Sequence, residues 1–110
     1  MQVEQVKPAV DAALIAARKA TEAFLTKHGD RDSCGFSWVT VYEVKLSSKV
    51  GKAFAAAGFS KAYGGGIEMW NPSKSHTQSI TAKEVGSDAF VASMRTVFPE
   101  LKIYSGSRMD

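Results

Sequence analysis

The first 28 residues carry apolar side chains at the spacing of an α-helix, and this feature constrains the fold more than any other. Pro8 lacks an amide hydrogen and fits best in a first turn, so we expect the helix to start near Val6 and to end at Gly29. Such a helix is about 30 Å long, and its apolar stripe has to cover some surface. The stripe consists of Val3, Val6, Val10, Ala13, Leu14, Ala17, Ala20, Phe24 and Leu25.

The remaining residues alternate between strand and helix patterns. We expect first a strand over residues 36–44 and then a helix that is capped by Ser47 or Ser48 and ended by Gly58. Strands over residues 59–63 and 67–70 follow, joined by three glycines. A second helix starts at a Thr81–Glu84 capping box, and a strand over residues 101–104 precedes a polar tail. This order predicts one α+β domain over residues 1–110. An N-terminal helix (1–28) precedes a ferredoxin-like βαββαβ unit (29–110) whose four-stranded antiparallel sheet has the strand order 4-1-3-2.

Side chains alternate along the strand predicted over residues 36–44. Val39 and Val41 share one face and should form a core with residues of the two later helices, namely Phe54, Ala89, Phe90 and Val97. Phe36, Trp38 and Tyr42 share the other face. That face is either open, as in modules that stack bases on a sheet, or covered by the N-terminal helix. We expect the helix to cover it, which shields Trp38 and leaves the chain monomeric; a homodimer through the alanine-rich helix is the alternative.

The net charge of +3 lies in the middle of the chain. Residues 33–80 hold five lysines and two glutamates, whereas basic and acidic residues balance on either side. A local basic excess can attract phosphates or an acidic protein surface. This basic excess and four aromatic residues that could be exposed give a set of possible partner-binding residues. They are Trp38, Tyr42, Lys45, Lys49, Lys52, Lys61, Tyr63 and Trp70.

No residue pattern indicates catalysis, a metal or a cofactor. Cys34 is the only cysteine and has no nucleophile signature with either histidine. The Asp30–Asp32 segment begins like a calcium loop, but Val41 stands where a bidentate glutamate is required. The N-terminus is too charged for a signal peptide, and no apolar run reaches the ~20 residues of a membrane helix. We expect a cytoplasmic, non-enzymatic protein without membrane contact.

Three segments resemble small uncharacterised proteins of bacteriophages and prophages: residues 30–39 (DRDSCGFSWV), 57–63 (AGFSKAY) and 104–110 (YSGSRMD). The resemblance implies a phage context, in which compact non-enzymatic proteins often bind and block a host factor or a defence complex such as a CRISPR effector. Our leading hypothesis is such a protein-binding inhibitor. A single-stranded nucleic-acid-binding module that uses the aromatic sheet face is the alternative, and a structural component of the virion is a third.

Overall fold

The computed structural model describes residues 1–110 and contains three helices and one four-stranded antiparallel sheet. The elements are α1 (Val3–His28), β1 (Gly35–Val41), α2 (Lys49–Ala56), β2 (Ser60–Lys61), β3 (Ile67–Trp70), α3 (Ile80–Val97) and β4 (Ile103–Met109). The predicted α+β class, the long N-terminal helix and the antiparallel sheet are confirmed.

Two helices begin at different residues from those predicted. The helix α1 starts at Val3, where the Gln2 amide donates to the Gln5 side-chain oxygen at 3.1 Å and the Gln5 amide donates to the Gln2 carbonyl at 3.0 Å, so Pro8 lies inside the helix. At α3 the cap is Ser79, whose hydroxyl accepts a hydrogen bond from the Ala82 amide at 3.0 Å. The predicted cap, Thr81, instead donates its hydroxyl to Asp32.

The sheet has the order β2-β3-β1-β4, so β1 is one of its two central strands. In the register, Trp38 lies opposite Trp70 on β3 and opposite Gly106 on β4. The polar tail predicted after residue 104 is wrong, because β4 continues to Met109 and pairs with the whole of β1. Strand pairing uses backbone groups, and β4 therefore does not need the apolar alternation by which strands are recognised in a sequence.

The core lies between the sheet and the helices and contains Val39, Val41, Phe54 and Phe90, all fully buried as predicted. Val97 was placed there wrongly, since it is 44% exposed, and Ala89 is only half-buried. The buried stripe of α3 lies at a different angle around the helix axis from the predicted one. An apolar pattern did not reveal it because it includes small and polar residues. It consists of Ala82, Gly86, Ser87, Phe90, Val91 and Met94.

The helix α1 packs against α3 and α2, on the core face of the sheet. Thr21 is fully buried there and donates its hydroxyl to the Ala82 carbonyl at 2.7 Å, while Gly86 faces Ala17 and Thr21 without a side chain between them. The prediction that α1 covers the aromatic sheet face is therefore wrong. The helical layer also differs from a regular ferredoxin-like unit, since α1 rather than α2 lies beside α3.

Candidate binding surface

The sheet face opposite the helices is lined with uncovered aromatic rings. We call the aromatic face the surface formed by Phe36, Trp38, Tyr42, Trp70 and Tyr104. Trp38 is half-buried by its neighbours, and the other four are 37%, 42%, 44% and 51% exposed, respectively. The face results from strand alternation, because Ser37, Val39 and Val41 turn towards the core, whereas Phe36, Trp38 and Tyr42 occupy the alternate positions.

The rings hold one another in place. The indoles of Trp38 and Trp70 have centroids 4.8 Å apart at an interplanar angle of 34°, and Phe36 meets Trp70 edge-on at 6.0 Å. On the other side Trp38 lies over Gly106, where an added Cβ would come within 2.7 Å of the indole. Trp38 is thus shielded by Trp70 and by contact with β4, not by α1. The aromatic face is ordered before any partner arrives.

A hollow of about 320 Å³ opens on the aromatic face beside the turn between β2 and β3. Trp38, Tyr42, Tyr63 and Trp70 all line it, so the structure brings together the four aromatic residues predicted as partner-binding. Tyr63 stands fully exposed at the rim. It is followed by the glycine turn, in which Gly65 and Gly66 have φ of 109° and 74°.

The predicted lysines do not belong to this surface. Lys49 and Lys52 are exposed on α2, on the helical side of the molecule, and Lys45 is exposed in the loop before it. Lys61 is exposed on β2, and none of the four lysines lines the hollow. The basic excess read from the sequence and the aromatic face are thus largely separate surfaces.

Lys83 lies 5.6 Å from the ring centroid of Phe36, and Arg95 lies 5.5 Å from that of Tyr104. Sequence reasoning missed Arg108, a third cation on the aromatic face, together with Tyr104. The Arg108 guanidinium carbon lies 5.6 Å from the centroid of Phe36, and the residue lines the hollow. Glu68 lines the same hollow and accepts a hydrogen bond from the Trp70 indole. The signal available in the sequence was the two-residue alternation of Tyr104, Gly106 and Arg108, a strand pattern inside a segment taken for a tail.

One further cation lies at the Tyr42 end of the aromatic face. The Lys102 carbonyl accepts the Tyr42 amide at 2.8 Å, and the Lys102 ammonium lies 2.9 Å from Glu43. The hydrogen bond from Lys102 to Glu43, reinforced by the attraction between their charges, raises the pKa of Lys102. Lys102 is thus paired with Glu43, whereas Lys83, Arg95 and Arg108 form no ion pair, so the border of the aromatic face carries a small positive charge.

The polar groups outside the aromatic face have structural partners. The Thr77 hydroxyl and Ser79 amide bind Asp30 at 2.5 Å and 2.9 Å, and the hydrogen bond from Thr77 lowers the pKa of Asp30. Hydrogen bonds from the Ser79 and Thr81 side chains lower the pKa of Asp32 to about 2. The two aspartates thereby tie the loop after α1 to the start of α3. No group of three or more His, Cys, Asp or Glu side chains is arranged to hold a metal ion.

Comparisons with known proteins found no match: no family model, no curated protein and no solved structure corresponds to the chain. None of the three helices combines the length and the apolar content that crossing a bilayer would require.

Proposed function

We propose that the protein is a non-enzymatic binding protein that acts by occupying a surface of another protein with its aromatic face. The observation that carries this proposal is a set of neighbouring aromatic rings left uncovered on one side of the sheet. Contiguous apolar surface of this kind is typical of interaction sites in soluble proteins. Trp, Tyr and Arg are also the residue types that contribute most to binding energy at the centres of protein interfaces.

The charge of the aromatic face favours a protein over a nucleic acid. Nucleic-acid affinity depends mainly on contacts from several Lys and Arg side chains to phosphates. At the aromatic face, Lys83 and Arg95 already donate to main-chain carbonyls and Lys102 is paired with Glu43, which leaves Arg108 as the cation without a bonded partner. The rings form an apolar centre with these cations at its border, and this resembles a protein interface, where charged residues are depleted at the core and lie at the rim.

The fixed arrangement of the rings also favours binding. A side chain that loses rotamer freedom on binding costs about 0.5–1.5 kcal/mol. Trp38 and Trp70 already restrain each other, and Gly106 provides the flat surface on which Trp38 rests. The side chains are therefore already ordered when the chain folds, and the free energy of binding is reduced less by the loss of their rotamer freedom.

The identity of the target is a further part of the proposal. The resemblance to bacteriophage proteins supports a host factor or a defence complex, such as a CRISPR effector, as the protein that is blocked, with the host cytoplasm as the place of action. The succession β-α-β-β-α-β and the sheet order β2-β3-β1-β4 support a ferredoxin-like origin for residues 29–110, in which α1 has taken the place beside α3.

The test compares variants in affinity capture from a lysate of a bacterial host, read by mass spectrometry. Trp70→Ala changes the aromatic face, and Tyr63→Ala changes the rim of its hollow. Ile15→Ala is the control because Ile15 is similarly exposed, at 47%, on α1. We expect a partner that is retained by the wild type and by Ile15→Ala but lost from Trp70→Ala, whose affinity should fall by roughly 30-fold as at an interface hot spot. Equal capture by all four proteins would contradict a role for the aromatic face.

A fluorescence titration separates the nucleic-acid alternative. Both tryptophans of the chain lie on the aromatic face, so the intrinsic fluorescence reports on that face alone. We expect no change on titration with mixed single-stranded oligonucleotides at low salt. Strong quenching that disappears steeply with added salt would indicate that the partner is a nucleic acid and not a protein.

A further inference from the structure

The strand β4 forms a free edge of the sheet. It pairs with β1 over seven residues, without a bulge in the register, whereas the opposite edge strand, β2, has only two residues. The Tyr42 amide bonds to the Lys102 carbonyl, and the Asp110 amide bonds to the Cys34 carbonyl. Antiparallel pairing alternates, so the backbone groups of Ser105 and Ser107 point away from the sheet. A straight edge without proline is a ready template for another strand.

On the helical side, the edge is acidic at Ser105 and Ser107, and Arg95 lies at its Ile103 end. A polar hollow of about 260 Å³ lies between β4 and α3 and is lined by Glu84 and Asp88. The Ser107 hydroxyl donates to Glu84, and the Ser105 hydroxyl donates to Asp88 at 2.7 Å. Neither carboxylate has a cationic partner, because the two ion pairs of the chain are Lys7–Asp11 and Lys102–Glu43.

We propose that β4 binds an extended segment of a partner protein as a fifth strand, and that this segment directs a Lys or Arg side chain towards Glu84 and Asp88. Side chains of an added strand alternate between the two faces of the sheet. Those on the other face would meet Tyr104 and Arg108, at the border of the aromatic face. The inference deepens the proposed protein-binding function, on which it rests, because one partner would contact the edge and the aromatic face together.

Charge also decides against a second copy of the chain at this edge. The register that pairs the whole of β4 with another β4 sets Ser105 of one copy opposite Ser107 of the other. It would bring Glu84 and Asp88 of both copies to the same side of the joint sheet, where like charges repel. One end of the edge is closed as well, since Arg95 donates to the Ile103 carbonyl at 2.6 Å. A basic segment of a different protein avoids the repulsion and can pair at Ser105 and Ser107.

The first experiment uses two synthetic peptides and the ¹⁵N-labelled full-length protein. The peptide acetyl-Thr-Lys-Val-Lys-Val-Lys-Thr-amide should shift the amide signals of Ser105 and Ser107 and slow their hydrogen exchange. The peptide with Glu in place of each Lys should bind much more weakly. The double variant Glu84→Gln/Asp88→Asn should weaken binding of the Lys peptide about fivefold, as expected for two exposed ion pairs. Equal binding of both peptides, or no effect of the Lys peptide at millimolar concentration, would overturn the proposal.

A second pair of variants tests the backbone contact. Ser107→Pro removes an amide that points outwards and leaves the bonds to β1 in place. Ser107→Ala is the matched control, because it loses only the hydroxyl bond to Glu84. We expect Ser107→Ala to bind the Lys peptide and Ser107→Pro not to bind it, with the signals of β1 unchanged in both. Binding by Ser107→Pro at the level of the wild type would refute strand addition.

Two outcomes separate this inference from the proposed function. If the Lys peptide had no effect but partner capture still depended on Trp70, the proposed role of the β4 edge would be rejected and that of the aromatic face retained. If sedimentation gave the mass of a dimer for the wild type and of a monomer for Ser107→Pro, the edge would bind a second copy of the chain. The proposal that it binds a basic segment of another protein would then be wrong.

Discussion

The substitution Gly86→Ala tests the packing of α1 on α3, which is the contact that leaves the aromatic face open. In an exposed helix this change stabilises by about 1 kcal/mol. At Gly86 the added Cβ would lie 3.0 Å from the Ser73 Cβ and 3.2 Å from the Ala17 carbonyl oxygen, and it would overlap the Thr21 hydroxyl. That hydroxyl is bonded to the Ala82 carbonyl and cannot turn away without losing the bond.

The magnitude follows from these contacts. Overpacking costs about 1–3 kcal/mol, and a lost buried hydrogen bond costs about 1 kcal/mol. After subtraction of the helix-propensity gain, Gly86→Ala should lower the free energy of unfolding by about 1–3 kcal/mol. The sign is thus opposite to the one that helix propensity alone predicts.

Urea denaturation followed by circular dichroism measures the effect, with the m-value as a check that the unfolding reaction is unchanged. The variant Thr21→Ala supplies the control, because it removes the group that the new methyl would strike. In that background Gly86→Ala should cost at least about 1 kcal/mol less, which a double-mutant cycle would report as coupling between the two sites. If Gly86→Ala stabilised the protein and showed no coupling to Thr21, the packing of α1 on α3 would be refuted. The helix α1 would then have to cover the aromatic face.

Two further predictions concern the core and the acid-sensitive loop. Phe90→Ala should lower the free energy of unfolding by about 3–5 kcal/mol, because Phe90 is fully buried, whereas the exposed Val97→Ala should change it by less than about 1 kcal/mol in the same urea titration. Hydrogen bonds lower the folded-state pKa of Asp32 from 3.8 to about 2, so its stabilising contribution is present above pH ~4 and is lost as the pH falls through about 2. The urea midpoint of the wild type should therefore exceed that of Asp32→Asn at neutral pH and converge with it towards pH 2; a difference that is independent of pH would contradict this role.

The periodicity of the sequence correctly predicted the elements with strong alternation or strong amphipathicity. The two faces of β1 were assigned correctly because Val39 and Val41 alternate with aromatic residues. The centre of the α1 stripe, from Val6 to Ala17, was also identified, although Ala9 and Thr21 were missed and Val3 is exposed. A stripe, however, specifies only which side of a helix is buried. It does not specify the surface that buries it, and the contact on α3 is made by Gly86, which has no side chain to contribute to an apolar pattern.

The binding surface was predicted in part for a related reason. Trp38, Tyr42, Tyr63 and Trp70 were recognised from their residue types, and the structure gathers all four around one hollow. Arg108 was missed because serines and glycine on an edge strand look like a polar tail. Lysine clustering in the sequence was misleading, because Lys49 and Lys52 lie on α2, on the helical side of the sheet and opposite the aromatic face.

The shapes of the two surfaces explain why α1 covers α3 and leaves the rings exposed. The buried side of α1 is made largely of Ala9, Ala13 and Ala17, a shallow stripe that matches a helix surface cut back at Gly86. Small side chains facing a glycine allow close packing without voids. Against the protruding indole of Trp70 the same alanines would leave gaps and lose dispersion contacts. Under the proposed function, a surface that covers the aromatic face would need larger and more varied side chains than α1 provides.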